Sequence, residues 1–222
     1  RRHHQRVYDR TNFDELPEWQ GTARPMVVAS MLELAYDQAD VLLVGGLLGA
    51  PAAGSYALAA RLAKLPIVVT TAITMTAIPR MAAAQAAGRL HEFRAVSRRA
   101  SVMMFAAASI AALLVMAGAP IGLPWLGRGF AAALVPLALL LVGRTVAALF
   151  GPALQALPLV GQARRVPIYL AFGLAIQTVA GAILIPIGGA AAAACVRSAA
   201  GVVSVQLARV TVKRSQRVGT PS

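Results

Sequence analysis

Long apolar runs alternate with short polar or glycine- and proline-rich breaks along most of this chain. Crossing a bilayer as a helix takes about 20 residues, and six runs reach that length: residues 26–49, 55–79, 101–123, 131–158, 167–187 and 190–210. The breaks between them include GAPAAG at 49–54, PIGLPWLGRG at 120–129 and PIGG at 186–189, whose residue types end helices. The pattern predicts an all-α integral membrane protein, a bundle of six transmembrane helices.

Composition supports the membrane class. Hydrophobic residues make up 58% of the chain and charged residues 13%, and the mean hydropathy is +0.68. The net charge of +13 could indicate a nucleic-acid partner. However, the basic residues lie in short clusters between apolar runs and no nucleic-acid-binding motif is present, so we expect none. The single cysteine, Cys195, excludes an internal disulfide, and we expect it to pack among apolar neighbours.

The distribution of basic residues predicts an orientation. Sixteen lie before the first run, after the second, after the fourth and after the sixth, whereas the alternate connections contain only Arg128. By the positive-inside rule, we expect both termini to lie in the cytoplasm and the chain to lie in the cell inner membrane. The predicted organisation is a cytoplasmic segment at 1–24, a six-span lobe at 25–210 and a cytoplasmic basic tail at 211–222. The basic stretch at 80–100 is interpreted as a cytoplasmic loop or, alternatively, as an amphipathic helix on anionic lipid.

Seven charged residues fall inside the predicted spans, where an ionisable group usually faces a cavity or a partner. The stretch LELAYDQAD at 32–40 places three acids on one helical face, and four cations lie on other spans: Glu33, Asp37, Asp40, Arg61, Lys64, Arg144 and Arg197. At 1.5 Å of rise per residue, Asp40 and Lys64 lie at about the same depth, so a buried pair is reasonable. Two interpretations stay open. The charges hold helices together, or they line a hydrated cavity in which the cations bind an anionic substrate and the acids balance or relay charge.

No sequence pattern of a soluble enzyme is present. The chain lacks GxxxxGK[ST], HExxH and CxxC motifs, and His3 and His4 have no partner at metal-ligand spacing. We therefore expect neither enzyme activity, nor a cofactor, nor a metal.

Several stretches resemble the polysaccharide (O-antigen type) flippases of the multidrug/oligosaccharidyl-lipid/polysaccharide exporter superfamily. The stretch at 40–66 is similar to the start of their second lobe, through Asp40, Gly45, Gly49, Gly54, Tyr56, Ala59 and Arg61. The stretches at 77–94, 127–141 and 184–201 are similar to later helix ends and turns of that lobe. One departure is Gln177, in a span where family members often carry Asn.

The resemblance covers residues 25–210 and implies the C-terminal lobe of a two-lobed transporter. The lobes would rock about a central cavity and flip a polyprenyl-pyrophosphate-linked oligosaccharide. Arg61, Lys64, Arg144 and Arg197 would then bind substrate, and Glu33, Asp37 and Asp40 would balance charge or couple transport. The implied partners are the lipid-linked oligosaccharide, the bilayer, and an N-terminal lobe missing from this chain or supplied by a second one. The alternatives are a cation-coupled multidrug exporter of the same superfamily and a non-transporting membrane remnant or scaffold.

Overall fold

Seven α-helices account for most of the chain in a computed structural model, which describes residues 16–122 and 128–218, with side chains at 27–122 and 131–215. The helices are α1 (Leu16–Leu48), α2 (Ala50–Leu62), α3 (Leu65–Ala86), α4 (Leu90–Gly122), α5 (Leu134–Ala148), α6 (Ala153–Ala156) and α7 (Arg165–Val218). Short 3-10 helices cover Arg128–Ala133 and Pro158–Val160. The described residues contain no strand, which confirms the all-α class.

The longest helix, α7, is a hairpin of two antiparallel arms. Gly189 has φ 60° and ψ −153°, which is not helical, and the chain reverses there. The hydroxyls of Tyr169 and Thr211, one on each arm, lie 2.6 Å apart, so the arms pack side by side. We name the arms α7a (165–188) and α7b (190–218). The reversal falls in the predicted PIGG break between runs five and six.

Four described segments are long and apolar enough to cross a membrane: Ala50–Ala86, Leu90–Gly122, Ala131–Ala156 and Arg165–Ser215. The last contains both arms of α7. Helix α1 is long enough but carries Glu33, Asp37 and Asp40 within its second half, which lowers its apolar character. The predicted number of six spans is therefore not confirmed as such.

The interpretation of residues 80–100 as a loop is wrong, because the stretch is helical apart from one turn; its cytoplasmic position stays a prediction. Helix α3 continues to Ala86 and α4 begins at Leu90, so only a tight turn with Gly88 at φ +67° separates them. Arg and Ala favour helix, so the polar stretch extends both helices instead of unwinding. Helix α1 likewise begins inside the predicted 1–24 segment, and α7 runs into the predicted tail; residues 1–15 and 219–222 lie outside the described residues.

Two apolar clusters lie at opposite ends of the bundle. One gathers Val44, Tyr56, Leu137, Leu141 and Ile185 near the Gly49 and Gly189 turns. The other gathers Met81, Phe93, Leu157, Ala208 and Val212 at the opposite end. Many large apolar side chains point outward, as expected of a surface in lipid. Cys195 is exposed as well, so its expected packing role is wrong.

Candidate functional site

A buried ionic network lies between the two clusters, centred on Arg197 of arm α7b. Only 4% of Arg197 and 1% of Asp40 is exposed. The guanidinium donates to two acids of α1: Nη1 to Asp40 Oδ2, and Nη2 to Asp37 Oδ1 at 2.6 Å. Because Asp37 and Asp40 are three residues apart on one helix, both reach a single guanidinium. The network thus joins α1 to α7b, two helices distant in sequence.

Helix α2 and the turn after it complete the network. The Tyr56 hydroxyl donates to Asp40 Oδ2 at 2.7 Å, and the backbone N–H of Val41 donates to Asp40 Oδ1 at 3.0 Å. Lys64 Nζ donates to Asp37 Oδ2 at 2.9 Å. Asp40 therefore has hydrogen-bond donors on both of its oxygens, which a buried carboxylate requires.

Tyr36 of α1 and Gln177 of arm α7a add further contacts around the network. The Tyr36 ring lies beneath the Arg197 guanidinium at 5.7 Å, and its hydroxyl donates to the Arg197 carbonyl oxygen at 3.1 Å. Gln177 Nε2 on arm α7a donates to the Tyr36 carbonyl oxygen at 3.0 Å. Tyr36 was not predicted to have a role, and Gln177 was noted only as a departure from a family pattern. The available signal was that both are polar side chains within apolar runs.

The predicted Asp40–Lys64 pair is wrong. Asp40 pairs with Arg197, whereas Lys64 pairs with Asp37. Equal depth for Asp40 and Lys64 requires 55–79 to be one straight helix, but α2 ends at Leu62 and Lys64 lies in the turn before α3. Lys64 therefore approaches α1 from the turn, with its side chain 38% exposed, and meets the less buried of the two acids.

A cavity of about 200 Å³ adjoins the network and brings in two more of the predicted residues. Its lining includes Glu33, Asp37, Arg144, Arg197 and Ser198. Glu33 is exposed and Arg144 half-buried, and neither forms an ion pair with a described residue. A second cavity, of about 350 Å³, shares Glu33, Leu154 and Leu170 with the first. We name the two together the vestibule; it extends from the network towards the α6–α7 connection.

Arg61 is the one predicted site residue that lies outside both the network and the vestibule. It is exposed on α2, makes no ion pair with a described residue and does not line the vestibule. Without it, the network and vestibule hold equal numbers of acids and cations: Glu33, Asp37, Asp40, Lys64, Arg144 and Arg197. The predicted site residues comprised four cations and three acids, and this excess of cations is therefore absent from the site. The described residues contain no group of His, Cys, Asp and Glu that could hold a metal ion.

Comparison with known proteins bears on the chain's first half. Residues 25–128 match the MatE family model, just under half of the chain. This match supports the multidrug/oligosaccharidyl-lipid/polysaccharide exporter superfamily. MatE proteins are transporters rather than enzymes, so the match and the apolar helices indicate a multi-pass membrane transporter. No curated protein and no solved structure gives a significant match. The matched region includes Lys64 and the predicted site acids Glu33, Asp37 and Asp40 but ends before Arg144 and Arg197.

Proposed function

We propose that this chain forms one six-span lobe of a two-lobed transporter that flips a polyprenyl-pyrophosphate-linked oligosaccharide across the cytoplasmic membrane by alternating access. The superfamily match supports the transporter class, and the resemblance of residues 25–210 favours the polysaccharide branch. On this proposal the six crossings are α1, α2 with α3, α4, α5, α7a and α7b. Another polypeptide segment or chain supplies the second lobe.

The proposed substrate class depends on the position of Arg144. It lies ten residues into α5, a helical rise of about 15 Å, close to the middle of a hydrocarbon core of about 30 Å. Arg197 and Lys64 are already paired with carboxylates, whereas Arg144 faces the vestibule beside Ser198 and Ser204. A cation kept at mid-membrane depth in a cavity suits a phosphate group, which a guanidinium binds with two parallel hydrogen bonds.

Glu33 favours a second candidate, a cation-coupled exporter. Its carboxylate lines the same vestibule, is exposed, and forms no ion pair with a described cation. A lipophilic cation or a coupling ion would then bind at Glu33, with Arg144 limiting the affinity by repulsion. The equal number of acids and cations around the vestibule makes this a direct rival.

Binding to the purified chain in zwitterionic nanodiscs separates the two candidates. Farnesyl pyrophosphate serves as a short probe, with farnesol as the same chain lacking phosphate and tetraphenylphosphonium as the lipophilic cation. We expect the pyrophosphate to bind more tightly than the alcohol. Arg144→Gln should weaken pyrophosphate binding about ten- to a hundred-fold, because a charge-assisted pair is lost. Arg144→Lys should retain part of the affinity, since a point charge remains.

Arg164→Gln is the matched control, because it removes the same charge from an exposed turn outside the vestibule. It should leave the affinity for farnesyl pyrophosphate within two-fold of the unmodified chain. Unchanged pyrophosphate binding by a folded Arg144→Gln variant would overturn the flippase proposal. Tetraphenylphosphonium binding that is abolished by Glu33→Gln would support the exporter instead.

A further inference from the structure

A separate basic cavity lies at the end of the bundle opposite the Gly49 and Gly189 turns. It has a volume of about 250 Å³ and is bounded by the start of α4, the connection from α5 to α6, and the end of arm α7b. Four cations line it: Arg94, Arg98, Arg209 and Lys213. We name it the basic pocket. None of these four residues belongs to the network or the vestibule.

The charge of the basic pocket is one-sided. No acid is present among the described residues that line it. Arg209 is held by the Phe150 ring, whose centroid lies 5.6 Å from the guanidinium carbon, so this cation is directed by packing rather than by a carboxylate. Arg98, Arg209 and Lys213 repel one another around this small cavity, and an anion bound between them relieves that repulsion. The occupant should therefore be anionic.

The interior of the same pocket is apolar. Phe93, Ala156 and Val212 line it and are almost fully buried. Arg98 and Lys213 are exposed and stand at its rim. A small inorganic ion has no apolar surface that could pack against the apolar wall. A glycerol phosphodiester, in contrast, presents an anionic group and a less polar backbone together. The combination favours a lipid headgroup over a free ion.

The depth of the pocket agrees with a headgroup. The helical rise from Gly189 to Arg209 along α7b is about 30 Å, the thickness of a hydrocarbon core. With the Gly189 turn at one surface, Arg209 and Lys213 lie at the opposite headgroup level. The excess of basic residues at this end marks it as the cytoplasmic side, where anionic lipids attract Lys and Arg.

We infer that the basic pocket binds the phosphodiester headgroup of an anionic phospholipid of the cytoplasmic leaflet. Arg98 and Lys213 supply charge at the rim, and Arg209 supplies a guanidinium fixed against Phe150. The bound lipid would join α4, α7b and the α5–α6 connection, which all line the pocket.

Native mass spectrometry of the detergent-purified chain tests the inference. Phosphatidylglycerol and phosphatidylcholine are each added at rising concentration, and retained lipid is counted per protein. We expect retention of phosphatidylglycerol at concentrations where phosphatidylcholine is not retained. The double substitution Arg98→Gln with Lys213→Gln should weaken phosphatidylglycerol retention roughly ten- to thirty-fold. The conservative exchange Arg98→Lys with Lys213→Arg should keep most of it.

The matched control is Arg164→Gln with Arg214→Gln, which removes two exposed cations outside the pocket. It should change retention by less than two-fold. Circular dichroism confirms that each variant keeps its helix content. Equal loss in both double variants would show a diffuse charge effect and overturn the site. Competition by soluble glycerophosphoglycerol or inorganic phosphate at the lipid's own concentration would overturn the lipid assignment in favour of a free phosphate site.

Discussion

At the scale of single residues, burial determines what each charged side chain contributes. Arg197 and Asp40 are almost fully buried, whereas Lys64 and Asp37 are each about one third exposed. Removing one member of a buried pair leaves an uncompensated charge, which costs about 3–5 kcal/mol. Removing one member of a partly exposed pair costs less than about 1 kcal/mol. The buried Arg197–Asp40 pair should therefore contribute more to stability than the partly exposed Lys64–Asp37 pair.

We predict that Arg197→Gln lowers the stability of the chain far more than Lys64→Gln. The first change leaves Asp40 buried with only neutral donors, and the second leaves Asp37 with Arg197. The measurement is the midpoint of thermal unfolding in detergent. Adding Asp40→Asn to Arg197→Gln should restore part of the lost stability, because no uncompensated carboxylate then remains buried.

Arg61→Gln is the control, since it removes an exposed cation from the neighbouring helix and should leave the midpoint unchanged. Equal midpoints for Arg197→Gln and Lys64→Gln would contradict the assignment of Arg197 as the centre of the network.

At the scale of elements, the reversal in α7 brings Arg197 to α1. Gly189 is the only described residue of α7 with non-helical angles, and its φ and ψ lie in a region that glycine alone adopts readily. Arm α7b then packs so closely on α5 that a Cβ on Gly143 would lie 2.2 Å from Ser198 Oγ. A straight α7 would carry Arg197 away from Asp37 and Asp40.

Gly189→Ala should therefore destabilise the chain by about 1–3 kcal/mol, because the Cβ strains the turn although open space surrounds it. Gly46→Ala, in the last turn of α1 and also in open space, is the matched control and should be neutral or slightly stabilising. Thermal unfolding midpoints in detergent compare the two. A Gly189→Ala variant as stable as the control would show that the left-handed angle is not required at the turn.

At the scale of the whole molecule, the two ends of the bundle differ in charge. The Gly49 and Gly189 turns lie at the end with few basic residues, and the basic pocket lies at the other. If the positive-inside rule holds, the turns face out of the cell. The vestibule then extends from mid-membrane towards the cytoplasm, the side from which a substrate for export enters.

Cysteine accessibility in intact cells tests this orientation, in a Cys195→Ser background because Cys195 is itself exposed. Cysteines at Ala50 and Ile187, both exposed beside the turns, should react with a membrane-impermeant thiol reagent. A cysteine at Ala87, in the turn between α3 and α4, should react only after the cells are opened. The reverse pattern would invert the topology and place the basic pocket outside.

The sequence by itself determined the helical class, the breaks at Gly49 and Gly189, and the set of charged residues inside apolar runs. These features depend on local composition. Local composition predicts helices and their ends because a helix in lipid must satisfy its backbone hydrogen bonds internally and ends where Gly, Pro or charged residues occur. Only the tertiary structure decided that Asp40 pairs with Arg197, that Lys64 turns to Asp37, and that Arg61 stands apart. Asp40 and Arg197 are separated by 157 positions, and their contact depends on how α7 folds back. Apolar residues cover both the core and the lipid-facing surface, so hydrophobic periodicity could not reveal which helix faces meet.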